Sequence, residues 1–381
     1  MSEVYAYIGS WGSPRDTEPV GVTTAVYDSS TGELHASAHC LPELNCGATC
    51  LDEAKGILYC VNERPEVPGE NLGGQVFALK INKETGELNE LNRSPSYGGM
   101  PSYCAVDAEG KYLIVSNHAQ RNSILKTEQD KDGHYQIVRE YDETAIVLFR
   151  LNEDGSIGEP CDIVRHTGHG ALPNQQNPHA HSVMRSPSGD FFVVCDKGND
   201  SVYSYRIDYS RERLVQCDQM KGMPGSSPRY SVFHPTLPIL YYNNETKPVI
   251  GVVRYTESGK LTPVCYVSCV EDDREVEQGM QSDIRLDAGG RYLYDLVRDT
   301  STIVVYEIDP STGIPLRIQS VPCGSTKGGR GLALSPDGQY LYLAAQPDPD
   351  VYIFRIGRDG KLTPNGKWTG VKPGNVTFMN I

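Results

Sequence analysis

Two histidines, three arginines and a glutamate in this chain could work together. His179 and His181 stand two apart in Pro178-His179-Ala180-His181, so on a strand they share one face. Arg229 follows Pro228, Arg330 opens an apolar run, and Glu245 and Arg298 end otherwise apolar runs. Histidine is the side chain whose ordinary pKa makes it a base near neutral pH. Arginine grips carboxylate or phosphate with paired hydrogen bonds and steadies a developing oxyanion. The set predicts proton-transfer chemistry on a small anionic substrate. His181 would be the base, supported by His179, with Glu245 orienting the imidazole or acting as base itself. Arg229 and Arg330 would bind the substrate's charge and Arg298 the oxyanion. The two histidines and Glu245 could in principle ligate zinc. The nearby arginines oppose a cation, so the expectation is no metal and no cofactor.

Residues so far apart in sequence need a scaffold that gathers them, and a repeat supplies one. A turn containing Gly followed by an aliphatic residue recurs as Thr31-Gly32-Glu33-Leu34, Thr85-Gly86-Glu87-Leu88, Asp154-Gly155-Ser156-Ile157, Ser258-Gly259-Lys260-Leu261, Thr312-Gly313-Ile314 and Asp359-Gly360-Lys361-Leu362. Ser210-Arg211-Glu212-Arg213-Leu214 is a degenerate seventh copy. Between the copies lies a second turn ahead of a Tyr-rich apolar run, as in Leu334-Ser335-Pro336-Asp337-Gly338 before Tyr340-Leu341-Tyr342-Leu343. Each unit holds four strands and no helical pattern, which predicts an all-β, seven-bladed β-propeller of four-stranded antiparallel blades spanning 1–381 as one domain. Tyr5 to Ser10 reads as the second strand of a blade whose first strand is Asn375 to Ile381, so the chain ends should pair and close the ring. The polar stretch at 119–142 lengthens one blade and is expected to form a loop or small hairpin over one end of the channel.

Counting back six residues from the Pro or Ala that opens each second turn lands on Ala48, Ser102, His181, Arg229, Ser282 and Arg330. These should ring one mouth of the channel. A second ring falls at the ends of the second strands: Asn62-Glu63, Asn117-His118, Asp196-Lys197, Asn244-Glu245, Val297-Arg298 and Ala345-Gln346. Ser102, Asn117, His118 and Asp283 join the arginines as candidate substrate contacts. His166 and His169 read as a solvated loop, and His234 as part of a turn.

The formal net charge of −14 argues against nucleic acid and anionic membranes as partners of the surface as a whole. A small anion remains possible where basic residues gather. No apolar run approaches the roughly 18 residues of a membrane span, and the start, MSEVYAYIGS, lacks the basic-then-apolar order of a signal peptide. The eleven cysteines have no repeated spacing and read as reduced thiols. The expectation is a cytoplasmic protein, monomeric or weakly homo-oligomeric.

Several of these segments, in order, resemble the lactonase family of propellers, which covers 6-phosphogluconolactonases and fungal 3-carboxy-cis,cis-muconate lactonizing enzymes. Asn177-Pro178-His179-Ala180-His181-Ser182-Val183 is similar to the family's P-H-x-H segment, and Ser227-Pro228-Arg229-Tyr230-Ser231-Val232-Phe233-His234-Pro235 to its G-P-R-H-x-x-F-H-P segment. Asn244-Glu245 resembles the family's N-E. Ser282-Asp283-Ile284, with Gly290-Arg291-Tyr292-Leu293-Tyr294 and Arg298, resembles its acidic-I…G-R-x-L-Y…R segment, and Arg330 stands at its P-R. The departures are Tyr230 for His, Ser227 for Gly, Gly329 for Pro and Val297 for a polar residue. The resemblance implies metal-independent hydrolysis of a sugar-acid or phosphosugar lactone. It also leaves room for a carboxymuconate-type cycloisomerase using the same pocket. A non-enzymatic scaffold for protein binding is the contrasting possibility, though the Gly-His and Trp-Asp signatures of such propellers are missing.

Overall fold

The computed structural model describes residues 3–12, 21–65, 73–120, 122–270 and 280–380. Among them there is no helix. Seven antiparallel sheets of four strands stand around a central channel, and an eighth sheet is a two-stranded hairpin. Taken in chain order, the innermost strands are Cys46–Asp52, Pro101–Val106, Ala180–Arg185, Pro228–Phe233, Gln281–Leu286, Gly331–Leu334 and Pro373–Asn380. They define blades one to seven. The seventh blade joins the two ends of the chain: Val4–Ser10 pairs with Pro373–Asn380 on one side and Gly21–Tyr27 on the other. This is the predicted closure, apart from Ile381, which lies outside the described residues. The closure joins blades rather than closing a sheet: each four-stranded sheet keeps its innermost strand as an edge along the channel.

Within the blades the three inner strands are mostly buried, and seven apolar clusters fill the seven gaps between neighbouring blades. A hydrogen bond recurs at these gaps. Tyr7, Tyr59, Tyr241, Tyr294 and Tyr342 each occupy the second strand of a blade. Each donates its hydroxyl to the carbonyl of the turn glycine in the next blade: Gly86, Gly155, Gly313, Gly360 and Gly32. That glycine is required twice over. Its φ lies near +80° in these turns, and at Gly360 a Cβ would sit 2.2 Å from the Tyr292 ring. At the two remaining gaps the tie changes: Ser204 Oγ reaches the Gly259 carbonyl at 2.6 Å, and Tyr112 reaches the Glu212 carboxylate at 2.9 Å. Glu212 is the degenerate turn residue, and it adopts the glycine's left-handed conformation with φ of 53°.

The stretch at 119–142 forms a hairpin, Ser123–Gln129 with Tyr135–Tyr141, between the second and third strands of blade two. It leaves from the end of the channel where the inner strands begin. Ile124, Leu125, Tyr135 and Ile137 on it are exposed.

The Tyr–Gly tie carries a stability prediction. Tyr294→Phe leaves the Gly360 carbonyl without its donor inside a packed interface. This should cost about 1–3 kcal/mol in urea denaturation, whereas Tyr209→Phe, half-exposed on the rim, should cost far less.

Candidate active site

Six of the seven inner strands are irregular at their first turn. In each, the register with the second strand skips at least one residue: Gly47, Ser102, His181, Arg229 with Tyr230, Ser282 and Gly374. A bulge of this kind frees one side chain from the alternation of the strand and re-aims it. In blade six Arg330 takes the corresponding place just ahead of Gly331, its amide bonded to Ala344 O at 2.8 Å. The expected ring is therefore present with one correction. In blade one the bulged residue is Gly47, not Ala48, because Glu53 rather than Ala54 holds the turn-opening position. No side chain fits at Gly47: a Cβ there would meet Glu63 Oε2 at 2.1 Å.

The residue that follows each second strand adds the other half of the site. Glu63, His118, Lys197, Glu245, Arg298 and Trp11 each stand beside the bulge of their own blade, their amides bonded to the carbonyl two residues before it. Blade six departs from the pattern. There Gln346 bonds to Pro373 O instead.

These side chains form two ion-paired arms. Glu245 accepts from Lys197 Nζ at 2.7 Å and from Arg229 Nε at 3.1 Å. Across the mouth Glu63 pairs with Arg330, whose guanidinium lies 4.0 Å over the Trp11 ring. Arg229 also donates to Ser282 O and stacks at 4.6 Å on Tyr230. Burial pushes the Glu245 carboxyl up, but Lys197 and Arg229 outweigh it and hold it far below the ordinary carboxylate range. A carboxylate that reluctant to take a proton is a fixed counter-charge, so the geometry does not support Glu245 as the base.

Arg298 differs from its two neighbours. Its Nε and Nη2 are buried and have no hydrogen-bond partner. Burial, with Arg229 and Arg330 close by, lowers its pKa to about 9. Among the described residues it is a cation of the mouth with no ion-pair partner.

The histidines occupy one wall. His118 and His181 stack with ring centroids 5.5 Å apart and planes at 23°, and Tyr230 closes on His181 edge-on at 5.1 Å. Burial first, then Lys197 for His118 and Arg229 for His181, keeps both imidazoles well below the ordinary histidine pKa. They are neutral bases at physiological pH. His179 sits one step behind, with Nδ1 2.6 Å from the His118 carbonyl and its amide 2.7 Å from Asp196 Oδ1. It supports the wall rather than forming it.

Not every candidate reaches the mouth. Ser102 donates to His181 O at 2.7 Å and so fixes the backbone beneath that ring. Asn117 donates to the carbonyls of Ser96 and Ala145 inside its blade. Asp283 lies deeper in the channel, holding Leu332 N at 2.8 Å and Arg285 at 3.0 Å. His169 and His234 are as expected, the first exposed and the second closing a turn through Leu237 N and Gly290 O. His166 corrects the solvated-loop reading. It is buried, bonded to Asp196 at 2.6 Å and Tyr205 at 2.9 Å, and stacked on Tyr203. Asp196 thereby links the 165–179 loop to His179. The residues missed by sequence reasoning are Trp11 and the role of Lys197 as counter-ion; among the described residues no three His, Cys, Asp or Glu side chains are grouped to hold a metal. A cavity of about 600 Å³ beside Asp52, Asp107 and Arg185, at the opposite end of the channel, collects none of the predicted set.

Comparison with known proteins agrees with this architecture. Residues 5–378 match the family described as "Lactonase, 7-bladed beta-propeller". A 6-phosphogluconolactonase of Formosa agariphila is 25% identical over 351 residues, covering 90% of this chain and 91% of that protein. One of Bacillus subtilis is 25% identical over 294 residues, 76% of each. Among solved structures, a periplasmic gluconolactonase of Pseudomonas aeruginosa superposes with a TM-score of 0.85 over 99% of both chains at 20% identity, a likeness of fold.

The lowered pKa of Arg298 sets a pH dependence. An anion binds the charged guanidinium, and the free protein loses that charge as pH rises through about 9. Inorganic phosphate, a dianion throughout the range above about pH 8, should therefore bind progressively more weakly from pH 8 to 10 by calorimetry. Arg298→Met should bind weakly at every pH and lose this slope.

Proposed function

Because the chain belongs to the Lactonase family of seven-bladed β-propellers, we propose that it hydrolyses the ring ester of a small anionic sugar-acid or phosphosugar lactone at the mouth where its inner strands begin. The observation that carries this reading is the pairing of buried neutral imidazoles with an unneutralised arginine in one charged cup. A lactone needs a base to activate water and a cation to meet the oxyanion, and those are the two groups the cup leaves unspent. Relatives named 6-phosphogluconolactonase support the substrate class.

In this reading His181 takes a proton from water as the oxygen attacks the carbonyl carbon. Negative charge gathers on the carbonyl oxygen, and Arg298 stabilises it by roughly 3 kcal/mol, the typical worth of one preorganised donor. The tetrahedral intermediate collapses, the ring C–O bond breaks, and the imidazolium returns its proton to the departing ring oxygen. The product is the open hydroxy acid. Burial, then Arg229 and Lys197 nearby, keeps the base neutral, and His118 stacks against it. Glu245 and Glu63 hold Arg229 and Arg330 in place while lowering the net positive charge, so the cup favours an anion without trapping it.

The protein as we read it is cytoplasmic, since all eleven cysteines are free. It would act as a monomer or weak homo-oligomer on a small molecule, with neither nucleic acid nor membrane as partner.

The test is proton release on 6-phosphoglucono-δ-lactone, glucono-δ-lactone and a carboxymuconolactone, each corrected for spontaneous opening. At least one should turn over, and His181→Ala should reduce kcat by roughly 10²- to 10⁴-fold. The acid limb of kcat should fall well below pH 6.5, because His181 resists protonation. No turnover of any of the three, or full activity in His181→Ala, would sink the proposal.

A further inference from the structure

We infer that the cleft between blades five and six is a subsite for a remote phosphate monoester on the substrate, with Lys327 as its specificity-determining residue. This rests on the lactonase reading and adds to it a place for the second anionic group.

The cleft encloses about 370 Å³ and opens beside the axis. Arg298 lines it, so one residue borders both the cup and the cleft. Two other donors join it there. Lys327 makes no ion pair among the described residues, and the Gln346 side-chain amide makes no hydrogen bond among them. One carboxylate, Asp299, shares the wall, but its Oδ2 is occupied by Met280 N at 3.0 Å. A second carboxylate, Asp348, lies near Lys327 but has both oxygens engaged by Ser325 and Thr326, so among the described residues three donor groups face two acids already hydrogen-bonded elsewhere, which makes the cleft a receptor for negative charge. A phosphate monoester carries nearly two charges and three acceptor oxygens, which matches a guanidinium, an ammonium and an amide better than one carboxylate would.

The loop that presents Lys327 is held rigidly. Asp348 accepts from Thr326 N at 2.8 Å, Thr326 Oγ1 at 2.6 Å and Ser325 Oγ at 3.0 Å. The next residue, Gly328, lies flat against the Arg298 backbone: a Cβ there would be 2.3 Å from Arg298 Cα, and φ is +79°. The lysine and the arginine are thus fixed to one another through their backbones before any ligand arrives, which lowers the entropic cost of holding an anion between them.

The lactone and the phosphate need different distances from the base. A ring carbonyl must lie beside His181 and Arg298, whereas a phosphate on the far end of a sugar acid can reach past Arg298 into the cleft. Through Lys327 and Gln346, which do not touch the reacting atoms, the cleft therefore discriminates between phosphorylated and unphosphorylated lactones.

The test uses 6-phosphogluconate and gluconate, stable open-chain acids, titrated calorimetrically at fixed ionic strength. The wild-type protein should bind the phosphorylated acid at least ten-fold more tightly, Lys327→Met should lose most of that preference, and Lys327→Arg should restore part of it. In lactone hydrolysis the ratio of kcat/KM for phosphorylated over plain gluconolactone should fall in Lys327→Met through KM rather than kcat. Equal binding of the two acids by the wild type, or an unchanged preference in Lys327→Met, would overturn the subsite. A preserved binding preference in a protein that opens no lactone would overturn the catalytic reading and leave the subsite standing.

Discussion

The hydrogen bond from a buried tyrosine to the turn glycine of the next blade sets the geometry on which the rest depends. It recurs at five of the seven gaps, and it joins the second strand of one blade to the outer hairpin of its neighbour. Apolar contact alone is non-directional and would let blades slide. A hydroxyl that must meet one carbonyl in a dry interface fixes both distance and height. The abundance of tyrosine and the periodic glycines in the composition are two sides of this contact. With the blades held at one level, residues at equivalent positions come to one plane of the channel.

Bulges then turn that plane into a site. Regular strands would point alternate side chains into neighbouring blades, where charge cannot be tolerated. Skipping one residue at the strand entry releases a side chain toward the axis, and the residue after the second strand joins it. The cup collects buried charges of both signs, which is costly unless they are paired. Glu63 and Glu245 supply that pairing. What they leave unpaired, Arg298 and the neutral imidazoles, is where chemistry can occur.

Much of this was legible in the sequence. The repeat, the chain-end closure and most of the ring follow from turn signals whose spacing is local. Ala48 lies one place out, because Glu53, not the alanine that follows it, holds the turn-opening position. The ion pairs were not legible: Glu63 and Arg330 lie 267 residues apart, and nothing local marks them as partners. Asn117 and Ser102 stood at the right positions, but strand-end polar residues serve the backbone as readily as a ligand, and here they do. His166 was misread because a Gly-rich loop suggested solvent, whereas a stacked tyrosine and Asp196 had room for it inside.

The seventh blade has a consequence for the life of the chain. Its inner strand, Pro373–Asn380, is made after every other strand of the ring, and it pairs with Val4–Ser10, made before them. Trp11, which lies under Arg330, belongs to that early strand's end. Until the last strand docks, the early one waits with an exposed edge, and closure must overcome the entropy of joining two strands so far apart in the chain. The cup is therefore finished only once this strand has been made, and a chain without it cannot assemble the mouth on which its chemistry would depend.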